Sequence, residues 1–348
     1  MAPKPIEGDP LGDPHNFGKR VQFINGAFHK PRSVFWEKFF FSTHSPLRPI
    51  LENDFSFLFN LKILSESSGS GVTEKVSSAS VANESWARMY GFLAAYCFYF
   101  GIYDLHSENI ISAPWGPQVV DCESAFGLMV LPHEGMLFPY RNIARSRSGL
   151  WPFVVSRAEG KLEKQEVLGL ISGFATGLSE LILKTPSLIE ELKNLEGGSQ
   201  SLRVFLRPTA EYVSADFNQE LFITEEKIQL ARGDIPFFFS FPGKADLFFW
   251  NKPDQMQKVK LGDDFGPIRT RFLHALPPSL FAVARSEKES IFYESILFLA
   301  GKFFLELSPE LGTVFEIGRD SQIVWLRDHL ELRWKNKIYH SGYPKSFF

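Results

Sequence analysis

Apolar residues flank the Asn25-Gly26 dipeptide in the run Val21 to His29 (VQFINGAFH), a pattern that predicts a β-hairpin closed by a type I′ turn. Upstream, Gly12 to Gly18 (GDPHNFG) reads as a glycine-bounded turn. Downstream, Pro31 in Lys30-Pro31-Arg32 ends the strand by removing a ladder donor. Val34 to Phe41 is apolar apart from Glu37 and Lys38 and is expected to be helical. Ser65 to Ser80 (SESSGSGVTEKVSSAS) has the composition of a linker. Asn83 to Tyr103 is hydrophobic all round, the mark of a central core helix. It runs into Asp104 to Asn109, a short strand at Ile110-Ile111, a turn at Trp115-Gly116-Pro117, and Gln118-Val119-Val120 leading to Asp121-Cys122-Glu123. Helical periodicity returns from Lys161 to Lys193, where Gly173 and Gly177 suggest close packing. Leu202 to Leu206 reads as a strand, and Glu225 to Arg232 as a helix stopped by Gly233. The segment after Pro277-Pro278 reads as helical, and the stretch from Gln322 as a hairpin or loop. No internal repeat is found. The order predicts a small β-rich N-terminal piece, a linker and a mainly helical remainder.

Composition narrows the function classes. With 348 residues, 44% hydrophobic and 22% charged, the chain can bury a sizeable core. Its 36 phenylalanines point to a core filled by rings. A net charge of -3 argues against a strongly cationic nucleic-acid binder, so no nucleic-acid partner is expected. Only Cys97 and Cys122 are present, which rules out a disulfide framework and fits a reducing, cytoplasmic setting. The N-terminus lacks the apolar core of a secretory signal. The longest apolar run, Met89 to Tyr103, falls short of the roughly 20 residues a bilayer span needs, so no transmembrane segment is expected. His133, His274, His329 and His340 read as structural or surface residues, and no zinc site is expected.

Candidate chemistry gathers between Asp104 and Glu123. A core helix delivers a loop with Asp104, His106 and Asn109; a tight strand-turn-strand follows and ends at Asp121 and Glu123. Phosphoryl transfer to an alcohol needs such parts: one Asp to orient the hydroxyl, and an Asn and a second Asp to hold Mg²⁺ against ATP. An Asn carbonyl oxygen ligates a hard cation without adding charge. Lys30, after the predicted hairpin, is the candidate phosphate-pairing lysine, and the turn from Gly12 through His15 to Gly18 sits where a phosphate-covering loop is expected. Taken singly, DxHxxN also suits a polar loop after a core helix, and Lys30 a surface lysine. Their joint order favours the kinase-like reading.

The segments GDPHNFGKRVQF, HKPRS and DLHSENIISAPWGPQVVDCESAF resemble the dehydratase domain of type 2 lanthipeptide synthetases, the LanM family, which typically carries GD-x-H-x-x-G, YKPRS, DLHxENxIA and DLETLF in this order. RVFLRPTAEY (Arg203, Arg207, Thr209, Tyr212) is similar to the family's R-x-x-x-R-x-T-x-x-Y, and GDIPFF from Gly233 to its GDIPYF. The resemblance covers about Gly12 to Phe239.

What it implies is an α+β, kinase-like bilobal fold related to lipid kinases, with a β-rich N-lobe over 1–82, a larger helical C-lobe over 83–264 and an extension over 265–348. It implies ATP- and Mg²⁺-dependent phosphorylation of Ser or Thr in a peptide or protein, then phosphate elimination to a dehydroamino acid. By matching position, Lys30 would hold nucleotide phosphates, Asp104 would orient the acceptor hydroxyl with His106 beside it, and Asn109 and Asp121 would ligate Mg²⁺ with Glu123 in support. Arg203 and Thr209 have the spacing of the family's elimination pair; an arginine can neutralise a departing phosphate. Without the resemblance they read as a strand arginine in an ion pair and a turn threonine after Pro208. Departures are His29 for Tyr, Cys122 for Leu, and Ser124-Ala125 for Thr-Leu. A full family member has a large region before the turn and a zinc-dependent cyclase after the dehydratase. Here the sequence begins almost at the turn and has no cysteine after Cys122, so a shortened form without the cyclase is expected. Two alternatives remain open. One is a kinase acting on a protein, lipid or small-molecule hydroxyl without elimination; the other is a nucleotide-binding pseudoenzyme.

Overall fold

The computed structural model describes residues 8, 10–79, 84–127, 135–138, 145–155, 162–195, 198–207, 209–213, 222–242, 246–253, 255–260, 296–297, 300, 312–318, 321–326, 329–334 and 337–342. It is a mixed α/β structure with several antiparallel sheets.

The first sheet has the order β1-β2-β3-β5-β4, built from β1 (Pro10–His15), β2 (Lys19–Ile24), β3 (Ala27–Lys30), β4 (Ile63–Glu66) and β5 (Gly71–Glu74). Asn25 and Gly26 both have positive φ, 52° and 76°, as the expected type I′ turn requires. The expected linker over Ser65 to Ser80 is corrected. Its first half is the hairpin β4–β5, and β5 pairs with β3 from Ala27↔Glu74 to Lys30↔Gly71. Serine and glycine there do not mean flexibility. A Cβ on Gly71 would meet Val34 Cγ2 at 2.3 Å, so this strand position is small because the start of the next helix packs against it.

That helix, α1 (Phe35–Phe41), sends Trp36, Phe39, Phe40 and Phe41 into the core. Between α2 (Arg48–Phe55) and α3 (Glu84–Phe100) the rings of Phe40, Phe55, Phe59, Tyr96, Phe100 and Phe126 form a continuous cluster. Tyr96 donates its hydroxyl to the Phe40 carbonyl at 2.9 Å, so the deepest hydroxyl there is paired. The phenylalanine excess is a ring-filled core, as expected. After α3 come the hairpin β6 (Ile110–Ala113) and β7 (Gly116–Val119), the short α4 (Trp151–Val154), and α5 (Lys164–Lys193).

Helices α3 and α5 cross with their backbones almost touching. A Cβ on Gly91 would lie 2.1 Å from the Leu170 carbonyl oxygen, and one on Gly173 2.1 Å from that of Arg88; one on Gly177 would crowd Phe92. By length and composition α5 could cross a membrane, with a mean hydropathy of 1.5 in its most apolar window, yet 56% of that window is buried inside the protein. That is the signature of a core helix.

The remainder is less helical than expected. β8 (Leu202–Val204), α6 (Thr209–Val213) and α7 (Thr224–Ala231) precede β9 (Phe238–Ser240), β10 (Phe248–Lys252) and β11 (Gln255–Lys258), and these four strands form a sheet of order β11-β10-β9-β8 over its own small core. The hairpin expected from Gln322 is part of a four-stranded meander, β12 (Val314–Gly318), β13 (Ser321–Trp325), β14 (His329–Trp334) and β15 (Lys337–Gly342). Its Phe315, Ile317, Ile323, Leu330 and Leu332 join the main core. The expected helix after Pro277-Pro278 lies almost wholly outside the described residues.

Replacing Gly91 by Ala forces a methyl into the α5 backbone, and the expected loss is about 3 kcal/mol, measured by denaturant unfolding. Gly69→Ala, with open space around it, should stay within about 0.5 kcal/mol of the parent.

Candidate active site

Lys30 is the last residue of β3 and only 5% exposed; its Nζ donates to Glu37 Oε1 at 2.9 Å, to the Val120 carbonyl at 2.8 Å and to Asp121 Oδ1 at 3.1 Å. Glu37, in α1, is fully buried. It lies among the aromatic residues of this helix because its carboxylate accepts from Lys30 at the end of β3 and from Arg32 just after it. Arg32, just after Pro31, adds Nη2 to Glu37 Oε1 at 2.5 Å, a further bond to Asp121 Oδ1, and Nε to Glu123 Oε2 at 3.3 Å. Burial alone would raise the Asp121 carboxyl, but Arg32 and then Lys30 hold it well below the usual carboxylate range. It is an anion throughout the physiological range.

The Asp104 loop is positioned by the end of α3. Gly101 (φ 60°) closes the helix in a Schellman arrangement: Gly101 N–H donates to the Phe98 carbonyl at 3.3 Å and Ile102 N–H to that of Cys97 at 2.8 Å. A side chain on Gly101 would collide with Gly127 O at 2.4 Å, because Phe126 and Gly127 donate their N–H groups to Phe100 O and Gly101 O. Asp104 itself has φ 66°, unusual for a residue with a side chain. Asn109 Nδ2 donates to the Asp104 carbonyl at 2.7 Å, which closes the loop and leaves the Asn109 Oδ1 as an acceptor. Burial pushes the Asp104 carboxyl up to about 6, against the pull of His106 and Arg203. His106 bridges to Ser148 through its backbone, and its Nδ1 accepts from Glu108 N–H at 3.3 Å.

Arg203, in β8, reaches this group from almost a hundred residues away. Its N–H donates to the Glu123 carbonyl at 2.8 Å, and its Nη1 to Glu123 Oε1 at 3.2 Å. The guanidinium packs on Phe205 and Phe237, 4.2 and 5.0 Å from the ring centroids, and lies 3.4 Å from His15 Nε2. Glu123 therefore bridges two arginines, Arg32 and Arg203. Burial and then Arg203 lower the His15 imidazole, so it is neutral at pH 7. Thr209 begins α6 and is half-buried; among the described residues no hydrogen bond joins it to Arg203. The rest of that motif converges elsewhere, Arg207 Nε and the Tyr212 hydroxyl both donating to the buried Glu226 Oε1, at 3.0 and 2.7 Å.

The glycine turn is fastened rather than open. Phe17 N–H and Gly18 N–H donate to the two oxygens of Asp234 at 2.8 and 2.7 Å, Ile235 N–H donates to the Pro14 carbonyl at 2.9 Å, and His15 Nδ1 lies 2.9 Å from Ile235 O. Arg232 pairs with Asp234 and covers the Phe17 ring. Gly12 lies within β1, where its carbonyl accepts from Arg20. The Gly18 amide is thus committed to the Asp234 carboxylate, and the turn holds His15 Nε2 beside the Arg203 guanidinium.

Sequence reasoning assigned no role to Glu37, Arg32 or Asp234. Glu37 is signalled by a lone acidic residue in an apolar helix seven positions after Lys30; Asp234 sits in a motif matched by pattern but not by purpose. Asp121 Oδ1 is taken by Lys30 and Arg32, but its second oxygen and Asn109 Oδ1 are hard donors of the kind Mg²⁺ takes, so by donor chemistry these two residues fit the expected metal. Glu123, with both oxygens turned to arginines, fits a supporting role better than a ligand's.

Residues 8–163 match a family described as a domain of unknown function (DUF4135), a domain found in LanM-like lanthipeptide synthetases; the match spans Lys30, Asp104, Asn109 and Asp121 and stops short of Arg203. No curated protein matches the chain.

The Asp104 carboxyl should titrate with a midpoint near 6, followed by carbon NMR of labelled aspartate. Arg203→Gln removes a cation that favours the charged form, so the midpoint should rise. A midpoint near 4 in both proteins would contradict the burial argument.

Proposed function

We propose that this chain carries a kinase-like bilobal phosphotransferase site that uses ATP and Mg²⁺ to phosphorylate Ser or Thr in a peptide or protein, followed by phosphate elimination. The observation that carries the reading is Lys30: a sheet-borne lysine paired with a buried helical glutamate and with Asp121, next to a loop holding Asp104 and Asn109. Lysine, helical glutamate, catalytic Asp, Asn and metal-binding Asp are the recurring parts of phosphoryl transfer in kinases. The likeness to LanM dehydratases and the family match over 8–163 support it.

In this reading the nucleotide supplies a transferable phosphoryl group, with Mg²⁺ offsetting its charge. Lys30 pairs with its phosphates while Glu37 holds the lysine in place. Asn109 and Asp121 hold the metal, and Arg32 keeps Asp121 ionised. Asp104 accepts the proton of the Ser or Thr hydroxyl, with a carboxyl near 6 that is mostly ionised at neutral pH. In elimination the Cα proton passes to water, its C–H electron pair forms the Cα=Cβ bond, and the Cβ–O bond breaks with its pair leaving on the phosphate, whose charge Arg203 neutralises.

One observation favours a kinase that stops at the phosphorylated product: Arg203 is already paired with Glu123. Mass spectrometry of Ser/Thr peptides incubated with ATP and Mg²⁺ separates the two. Loss of one water per site supports the dehydratase, gain of one phosphate the kinase, and no ATP turnover sinks both. Asp104→Asn should lower phosphoryl transfer by about 10²-fold or more. Arg203→Ala should make the phosphopeptide accumulate if elimination operates, and leave the product unchanged if it does not.

A further inference from the structure

The C-terminal meander brings together three side chains that are scattered in sequence. β14 alternates strictly: Leu330 and Leu332 point into the core, while His329, Glu331 and Arg333 take the outer face. β15 pairs with it antiparallel, and His340 stands directly opposite Glu331. A carboxylate is thus flanked by one imidazole two residues away on its own strand and another across the ladder. His329 Nε2 lies 3.6 Å and His340 Nδ1 3.8 Å from Glu331 Oε1, and all three candidate ligand atoms fall within 4.8 Å of one another.

These separations are close to those of a coordinated ion. Zinc bonds of about 2.0–2.1 Å in a tetrahedron put neighbouring ligand atoms about 3.3 Å apart. Two of the three edges need only small rotamer adjustments, and the register of the hairpin fixes the backbone beneath them. Arg333 donates through Nε and Nη2 to Glu331 Oε2 at 3.1 and 3.0 Å, which turns Oε1 toward the two imidazoles. That is the orienting part played by a second layer of residues around many metal sites. The Arg333 charge also opposes a cation nearby, which argues for moderate affinity. Two imidazoles and one carboxylate favour a borderline ion such as Zn²⁺ over Mg²⁺ or Ca²⁺.

We propose that His329, Glu331 and His340 form an open, three-ligand site for a divalent transition ion of the zinc class on the outer face of β14–β15. The ion cross-links the last two strands and keeps a coordination position for solvent. This site is separate from the Asn109–Asp121 pair, and its existence does not depend on the phosphotransferase reading.

The test uses the full chain, stripped with a chelator and titrated with zinc chloride against a chromophoric competitor. Proton NMR follows the histidine ring signals. One equivalent should bind with the His329 and His340 signals moving together, and the thermal midpoint should rise with zinc. His340→Gln and Glu331→Gln should each weaken that equivalent by more than about tenfold while leaving the zinc-free midpoint unchanged. Asp121→Asn should leave it intact, which separates this equivalent from zinc bound at the candidate active site. Absence of a saturable equivalent, or an equivalent that persists in both His340→Gln and His329→Gln, would overturn the proposal.

Discussion

A lysine and a glutamate cannot be left in a dry interior without each other, and Lys30 with Glu37 is where this molecule meets that constraint. Removing one partner of such a pair typically costs about 3–5 kcal/mol, because the survivor is stranded. The pair is not closed on itself. Arg32 joins Glu37 to Asp121 and Glu123, and Glu123 passes the chain of charges on to Arg203. Three cations and three carboxylates, drawn from β3 and the residues just after it, α1, the 121–123 segment and β8, hold one another in place. The elements around them are placed by what this group requires.

The segment from Asp121 to Gly127 is the pivot of that arrangement. Its backbone is bonded on one side to Tyr103, Phe100 and Gly101, and on the other to Arg203, while Val120 just before it donates to the Asn109 carbonyl. It therefore fixes the Asp104 loop and the Arg203 strand relative to each other. The aromatic core reaches it through Phe126, which contacts both Trp36 and Phe40 of the helix that carries Glu37. Packing and electrostatics are joined at α1: the same seven residues fill the core and supply the buried carboxylate.

Much of this was legible in the sequence because it is local. The Asn25-Gly26 hairpin, α1, the long apolar α3, the β6–β7 hairpin and the glycine-lined face of α5 each follow from spacing within one segment. Arg203 is singled out only by the resemblance, and the structure adds what holds it there: its backbone N–H donates to the Glu123 carbonyl. Composition misled where packing decides. Gly71 in a Ser/Gly run is a strand residue pressed on Val34, and the late strands carry weak signals because each depends on distant partners for its burial. The clamp of Asp234 on the Phe17-Gly18 amides spans 216 residues or more, beyond what any local pattern can express. The histidines at 329 and 340 read as unremarkable for the same reason: only the β14–β15 register sets them beside one carboxylate.

In the proposed reading Lys30, Asn109 and Asp121 form a nucleotide–metal site, and isothermal calorimetry of the full chain with ATP, with and without Mg²⁺, probes it. One nucleotide should bind saturably, more tightly with Mg²⁺ present and more weakly in Asn109→Ala. No heat of binding in the parent chain, with or without the metal, would rule the site out.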